Sequence, residues 1–132
     1  MRSDDAYVAF QRLKKHAEEN ISAIITEQDA RFQLIDQMLV DVLGWPRESI
    51  RTEPHLDEGR IDYLLLQGGR NKLVVEAKRT SATLVDTKAD TLNFFKFNGP
   101  SSKSATPVLR QAEGYCLDTG VQFCAATNGV EW

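Results

Sequence analysis

Asp62, Glu76 and Lys78 are the residues of this chain whose types and spacing can do chemistry. Glu76 and Lys78 close the run LVVEAK, Leu73 to Lys78, which is apolar enough for a strand covered on both faces. A charge in such a place is costly unless it is paired or bound to a metal. Side chains alternate along a strand, so Glu76 and Lys78 share a face, with Val74 below them. The preceding strand candidate, RIDYLLL over 60–66, brings Asp62. If the connection is 67–71, Leu66 pairs with Lys72, Leu64 with Val74 and Asp62 with Glu76; a three-residue loop at 68–70 gives the same register. A two-residue Gly68-Gly69 turn shifts the pairing by one and sends Asp62 to the other face. In the first register the two carboxylate-bearing Cβ atoms lie about 5 Å apart.

Opposed carboxylates repel and weaken a sheet. A divalent cation converts that cost into a binding site. Mg²⁺ prefers oxygen ligands, takes one or two carboxylates and keeps positions for water and phosphate. Lys78 could then hold a water or stabilise charge on a phosphate. Each signal alone has a plainer reading: Glu-x-Lys at a strand end forms an exposed ion pair, and a lone Asp starts a strand. Together, on paired strands in a compatible register, they favour the metal.

The elements that must position these residues can be read outward from them. Residues 4–20 predict a first helix, led by acids, with Tyr7, Phe10 and Leu13 at helical spacing and His16 on its surface. Thr26-Glu27-Gln28-Asp29 has the form of a capping box. It opens a second helix whose apolar face is Phe32, Ile35, Met38, Leu39 and Val42, stopped by Gly44 and Pro46. Residues 49–54 form a short strand candidate, and 60–66 and 72–78 form two more. Residues 80–107 read as a long connection with an apolar island at Leu92, Phe94, Phe95 and Phe97. Residues 108–120 predict a helix ended by Gly120, and 121–127 a last strand before an Asn128-Gly129 turn. The expected fold is α/β, with helices on both faces of a mixed central sheet.

The 132 residues suit one domain, with 42% apolar and 27% charged residues. No apolar run reaches the roughly 20 residues that span a bilayer, and MRSDDAYVAF lacks the apolar centre of a signal peptide, so a cytoplasmic protein with no membrane partner is expected. Cys116 and Cys124 have neither metal-ligand spacing nor a nearby His, and read as buried free thiols. The net charge of −3 argues weakly against a nucleic-acid partner, but residues 70–110 hold eight bases against three acids, a local +5 that suits a phosphate-tracking surface.

Asp62 followed across a hairpin by Glu76-Ala77-Lys78 resembles the D…(D/E)-x-K signature of the restriction-endonuclease-like nucleases. The pieces TEQDARFQLIDQMLVDVLGW, GRIDYLLL, LVVEAKRT, RQAEGYC and ATNGVEW resemble, in order and spacing over residues 22–132, the N-terminal nuclease domain of type I restriction enzyme R subunits and their relatives. The resemblance implies a restriction-endonuclease-like α/β/α core and a Mg²⁺-dependent endonuclease, with Mn²⁺ able to replace Mg²⁺. It implies DNA as substrate and a place in restriction or anti-phage defence. It assigns the metal to Glu27, Asp62 and Glu76, the catalytic role to Asp62, Glu76 and Lys78, and a supporting or substrate-binding role to Gln111 and Tyr115, one helical turn apart. Glu27 also reads as a first-turn acid favoured by the helix dipole. Gln111 and Tyr115 on their own read as an ordinary amphipathic pair. Residues 1–21 form an extra helix under this reading, and residues 83–105 form a loose insertion, mobile without substrate. The chain is expected to be a piece of a longer protein that carries motor and specificity parts. The rival expectation is a non-catalytic nucleic-acid or protein interaction module on the same fold.

Overall fold

A computed structural model describes residues 2–56, 59–86 and 94–132. Lys88, Asp90 and Leu92, which enter the charge and apolar-island readings, lie outside the described residues. Helix α1 is Ser3–Asn20, with Asp4 and Asp5 in its first turn. Helix α2 runs over 27–42. It is α-helical in Glu27–Ala30 and widens to i→i+5 hydrogen bonding over Arg31–Ile35 and Met38–Val42. Strands β1 (Ile50–Thr52), β2 (His55–Leu56), β3 (Gly59–Arg60), β4 (Tyr63–Gln67) and β5 (Arg70–Ala77) follow. Helix α3 is Thr106–Thr119 and strand β6 is Phe123–Thr127. The central sheet has the order β1-β4-β5-β6; β1, β4 and β5 pair antiparallel, while β6 lies parallel to β5 after the crossover through α3. β2 and β3 form a separate small hairpin.

The capping box at Thr26 is present on both sides. Thr26 Oγ1 accepts from the Asp29 N–H at 3.0 Å, and Asp29 Oδ2 accepts from Thr26 N–H at 3.0 Å and Ile25 N–H at 3.1 Å. The apolar face of α2 differs from expectation. Ile35 and Leu39 are buried, but Phe32 is 75% exposed and Ala30, Leu34 and Arg31 take the inward places. Each i→i+5 turn absorbs an extra residue, so the inward face drifts from a 3.6-residue period. On α1, Leu13 and Ala17 pack on the core, whereas Tyr7 and Phe10 face out. A groove of about 600 Å³ between α1 and α2 is lined by Leu13, His16, Phe32 and Val40 among others, and none of the paired carboxylates reaches it.

The sheet is covered on both sides. Tyr63, Leu65, Val75 and Ala77 meet Leu34, Ile35 and Leu39 of α2. On the other side Ile61, Leu64, Leu66 and Val74 meet Ala112, Tyr115 and Cys116 of α3. β4 is buried at four successive positions, Tyr63 to Leu66, which explains its unbroken apolar sequence.

The β4–β5 register is reached by an unexpected route. The turn is the two-residue Gly68-Gly69, both at positive φ (56° and 74°), as a type I′ hairpin requires. Leu66 pairs with Asn71, not Lys72, and by itself that would displace Asp62. A bulge then absorbs Lys72, and Leu65↔Leu73, Leu64↔Val74 and Tyr63↔Val75 resume the register that sets Asp62 against Glu76.

Two glycines separate backbone strain from steric conflict. A methyl at Gly69 meets nothing within 4 Å, while one at Gly129 (φ 91°) lies 2.9 Å from Leu34 Cδ1. Gly69→Ala is expected to cost about 1 kcal/mol through its left-handed backbone. Gly129→Ala is expected to cost more, since Leu34 must also shift. Urea unfolding of the two variants checks the order.

Candidate functional site

Asp62 lies one residue before β4 and Glu76 one residue before the end of β5. They are tied to each other's strands. Asp62 Oδ2 accepts from the Ala77 N–H at 2.7 Å, and Glu76 Oε1 accepts from the Asp62 N–H at 3.4 Å. Glu76 is only 2% exposed. Burial, then the neighbouring Asp62 charge, pushes its carboxyl up to about 8, with Lys78 opposing. Near neutral pH Glu76 therefore favours its protonated form, which spares the site a second buried negative charge.

Lys78 stands one residue past the end of β5. Its N–H donates to Thr127 O at 2.8 Å, so it continues the parallel ladder with β6 and its position is fixed by the sheet. Glu27 stands at the start of α2, half-buried. Burial raises its carboxyl and Asp62 raises it further, while Lys78 and Arg31 lower it. Asp62 and Lys78 thus act on both Glu27 and Glu76. Among the described residues no three Asp, Glu, His or Cys side chains are gathered as a metal cage. The close pair is Asp62 and Glu76, and Glu27 acts on it through electrostatics.

Gln111 Nε2 donates to the Tyr115 hydroxyl at 3.3 Å, so these two do act together. Tyr115 is buried, and its hydroxyl would lie 3.2 Å from a methyl placed on Gly59, three residues before Asp62. Among the described residues neither hydrogen-bonds Asp62, Glu76 or Lys78. Tyr115 stands beside the backbone of β3, which leads to Asp62.

Arg31 was missed in the sequence, where it reads as one of the polar residues of an amphipathic helix. It is buried beneath the site. Its Nε donates to the Tyr63 hydroxyl (3.3 Å), Nη1 to Glu53 Oε1 (3.1 Å) and Nη2 to the Asp62 carbonyl (3.3 Å); Nη1 also stands 3.7 Å from Asp62 Oδ1. The guanidinium lies over the Tyr63 ring, 4.8 Å from its centre. Tyr63 in turn donates to Asp36 Oδ1 at 2.7 Å, and burial together with Asp36 pushes its phenol up. Glu53, at a positive φ of 51°, donates its own N–H to the Asp62 carbonyl at 3.1 Å. No signal in the sequence marked this role, because it is the widened turn from Arg31 to Ile35 that brings Arg31 inward.

The described residues just after Lys78 are held by side chains from the C-terminal turn. Glu131 accepts from Leu84 N–H (3.1 Å) and Val85 N–H (3.0 Å), and Asn128 Nδ2 donates to Ala82 O at 2.9 Å. Glu131 thus holds Leu84 and Val85, Asp86 N–H donates to Ser101 O at 2.9 Å, and residues 97–105 form turns that lead into α3. Glu131 belongs to the ATNGVEW piece, but spacing alone assigned it no partner. Cys116 and Cys124 are free; burial and the adjacent Cys124 push Cys116 up to about 11, which leaves it a poor nucleophile. No described helix is long and apolar enough to cross a membrane.

Two outcomes follow from this geometry. A carboxyl raised in the folded state keeps a proton there that the unfolded chain has lost. Its stabilising contribution is complete below about pH 4.5 and disappears as pH rises through about 8. In chelator, the difference in unfolding free energy between the wild type and Glu76→Gln should therefore shift against the wild type across that window, as read by urea melts at fixed pH. Arg31→Met removes a buried cation from three acceptors and is expected to destabilise by about 1–3 kcal/mol. Thermal melts check it, and a neutral result would remove Arg31 from the scaffold of Asp62.

No protein-family model, curated protein or solved structure matches this chain.

Proposed function

We propose that the chain is a Mg²⁺-dependent nuclease domain of the restriction-endonuclease-like kind, hydrolysing phosphodiester bonds of DNA, and that it serves in restriction or anti-phage defence. The observation that carries this reading is the Asp62–Glu76 pair. Two carboxylates are locked together at a sheet end, one of them buried and short of positive charge. Structural ion pairs are built the opposite way, each acid against its own base. A divalent cation fits the donor set, since Mg²⁺ needs only one or two carboxylates besides water and phosphate. Mn²⁺ fits as well.

When bound, such an ion lowers the pKa of a water and neutralises charge on a phosphoryl oxygen. The chain supplies the rest. Asp62 and Glu76 would hold the ion, with Glu76 giving up its proton on binding. Lys78, fixed by the ladder to β6, would place its ammonium beside the phosphate and stabilise the charge that develops there. Glu27, which feels the Asp62 charge from the start of α2, would orient a water of the ion's shell. Gln111 and Tyr115 would support the substrate strand from α3. Motor and specificity parts, on the same or another chain, are the proposed partners.

The second reading, a non-catalytic interaction module, draws on the basic stretch 94–111, which carries Lys96, Lys103 and Arg110 and no acid. It needs basic surface but no metal, so metal binding separates the two. Mg²⁺ or Mn²⁺ is expected to raise the melting midpoint of the wild type and not that of Asp62→Asn/Glu76→Gln. Asparagine and glutamine keep the acceptors for Ala77 and Asp62 N–H, so these variants should fold. Cleavage of plasmid and linear DNA should fall at least about a hundredfold in either single variant and in Lys78→Ala. A wild type whose midpoint ignores both ions overturns the nuclease reading.

A further inference from the structure

Residues 94–111 carry Lys96, Lys103 and Arg110 and no acid, a local +3 in a chain of net −3. The same stretch leaves three phenylalanines in water, with Phe94, Phe95 and Phe97 exposed by 94%, 40% and 48%. Single exposed apolar side chains need no explanation, but three aromatic rings within four residues form a patch. The part that carries Phe97 is folded. Gly99 N–H and the Ser102 hydroxyl both donate to Lys96 O, at 2.9 and 2.6 Å, and Asn98 N–H donates to Thr106 Oγ1 at 3.2 Å. Asn98 takes a positive φ of 58° to allow it. This folding holds Phe97 under the Arg110 guanidinium, 5.2 Å from the ring centre. Among the described residues no acid pairs with Lys96, Lys103 or Arg110.

We propose that this surface binds an unpaired stretch of nucleic-acid strand, with bases stacking on Phe95 and Phe97 and phosphates meeting Lys96, Lys103 and Arg110. Flat rings alternating with unpaired cations match that ligand, whose every base offers a π-face and every link a negative charge. A duplex hides its base faces and would use only the cations. An anionic membrane would also answer the charge, but the described residues that follow the rings in the chain, Asn98, Gly99, Ser101 and Ser104, are polar or small and give no amphipathic helix to enter hydrocarbon. The next residue of α3, Gln111, reaches through Tyr115 towards Gly59 and the strand entry of Asp62. The inference deepens the nuclease reading by naming an unpaired strand as the substrate, and it rests on that reading for cleavage but not for binding.

The test uses the full chain as Asp62→Asn/Glu76→Gln in chelator, so that binding is read without cleavage. Anisotropy of a labelled 20-nucleotide oligo-dT is measured against the same protein carrying Phe95→Ala/Phe97→Ala. Binding is expected to weaken at least tenfold in the phenylalanine variant. The slope of log affinity against log salt is expected to flatten in Lys96→Ala/Arg110→Ala. A duplex of equal length should bind more weakly than the oligonucleotide, and phosphatidylserine vesicles should not bind. Unchanged oligonucleotide affinity in the phenylalanine variant overturns the proposal, as does preference for the duplex or the vesicles. A wild type that binds the oligonucleotide through the phenylalanines but ignores divalent ions leaves this surface standing and removes only the nuclease reading.

Discussion

The site depends on the register of β4 against β5. Side chains alternate with a period of two, so a slip of one residue would turn Asp62 away from Glu76 and bury it against the wrong helix. A two-residue Gly68-Gly69 turn imposes that slip, and the bulge at Lys72 reverses it within one pair of residues. Neither feature is tolerable alone. A bulge with a longer turn would lose the register, and the tight turn without the bulge would oppose Tyr63 to Val74 and turn Val74 to the side of α2. The core enforces the solution, since Leu64, Leu66 and Val74 must all reach α3 while Tyr63, Leu65 and Val75 reach α2.

Given that register, the chain must bring two carboxylates together without a counter-ion of its own between them. It lowers the cost in three ways. The Ala77 N–H holds one oxygen of Asp62, a proton on Glu76 removes one charge near neutral pH, and the Arg31 guanidinium lies beside the other Asp62 oxygen. At 3.7 Å that last contact is electrostatic and lies beyond hydrogen-bond distance, so Oδ1 keeps an open lone pair. Three of the five Arg31 N–H groups are meanwhile engaged elsewhere, by Tyr63, Glu53 and the Asp62 carbonyl. It therefore offsets charge at Asp62 without occupying it.

Strong local signals in the sequence carried much of this. The capping box at Thr26, the apolar strands, the Gly120 stop (φ 70°) and the helix between β5 and β6 all lie within a few residues of their predicted bounds. The Asp62–Glu76 pairing was also legible, although the right register was reached through the wrong turn: two deviations of one residue cancelled, and arithmetic on loop length cannot see a bulge. What escaped depended on helix geometry or long-range contact. The i→i+5 turns of α2 exchanged Phe32 for Arg31 and Leu34 on the inward face, and no period-3.6 reading contains that exchange. Glu131 meets Leu84 and Val85 across more than forty residues, a pairing without a local pattern.

The missed residues share a position: they surround the carboxylate pair without belonging to it. Arg31 and Glu53 fix the chain where it enters β4, and Glu131 and Asn128 fix it a few residues after it leaves β5. Both are places where the backbone departs from the sheet and loses its ladder partners. A sheet end carrying two repelling carboxylates is where strands would fray most readily, so polar side chains from distant segments replace the missing ladder bonds there. The order around the pair is thus supplied by side chains, while the pair itself is set by backbone register. Substitutions in the two groups should separate accordingly, with the surrounding residues governing how firmly the pair is held and the pair governing what it can bind.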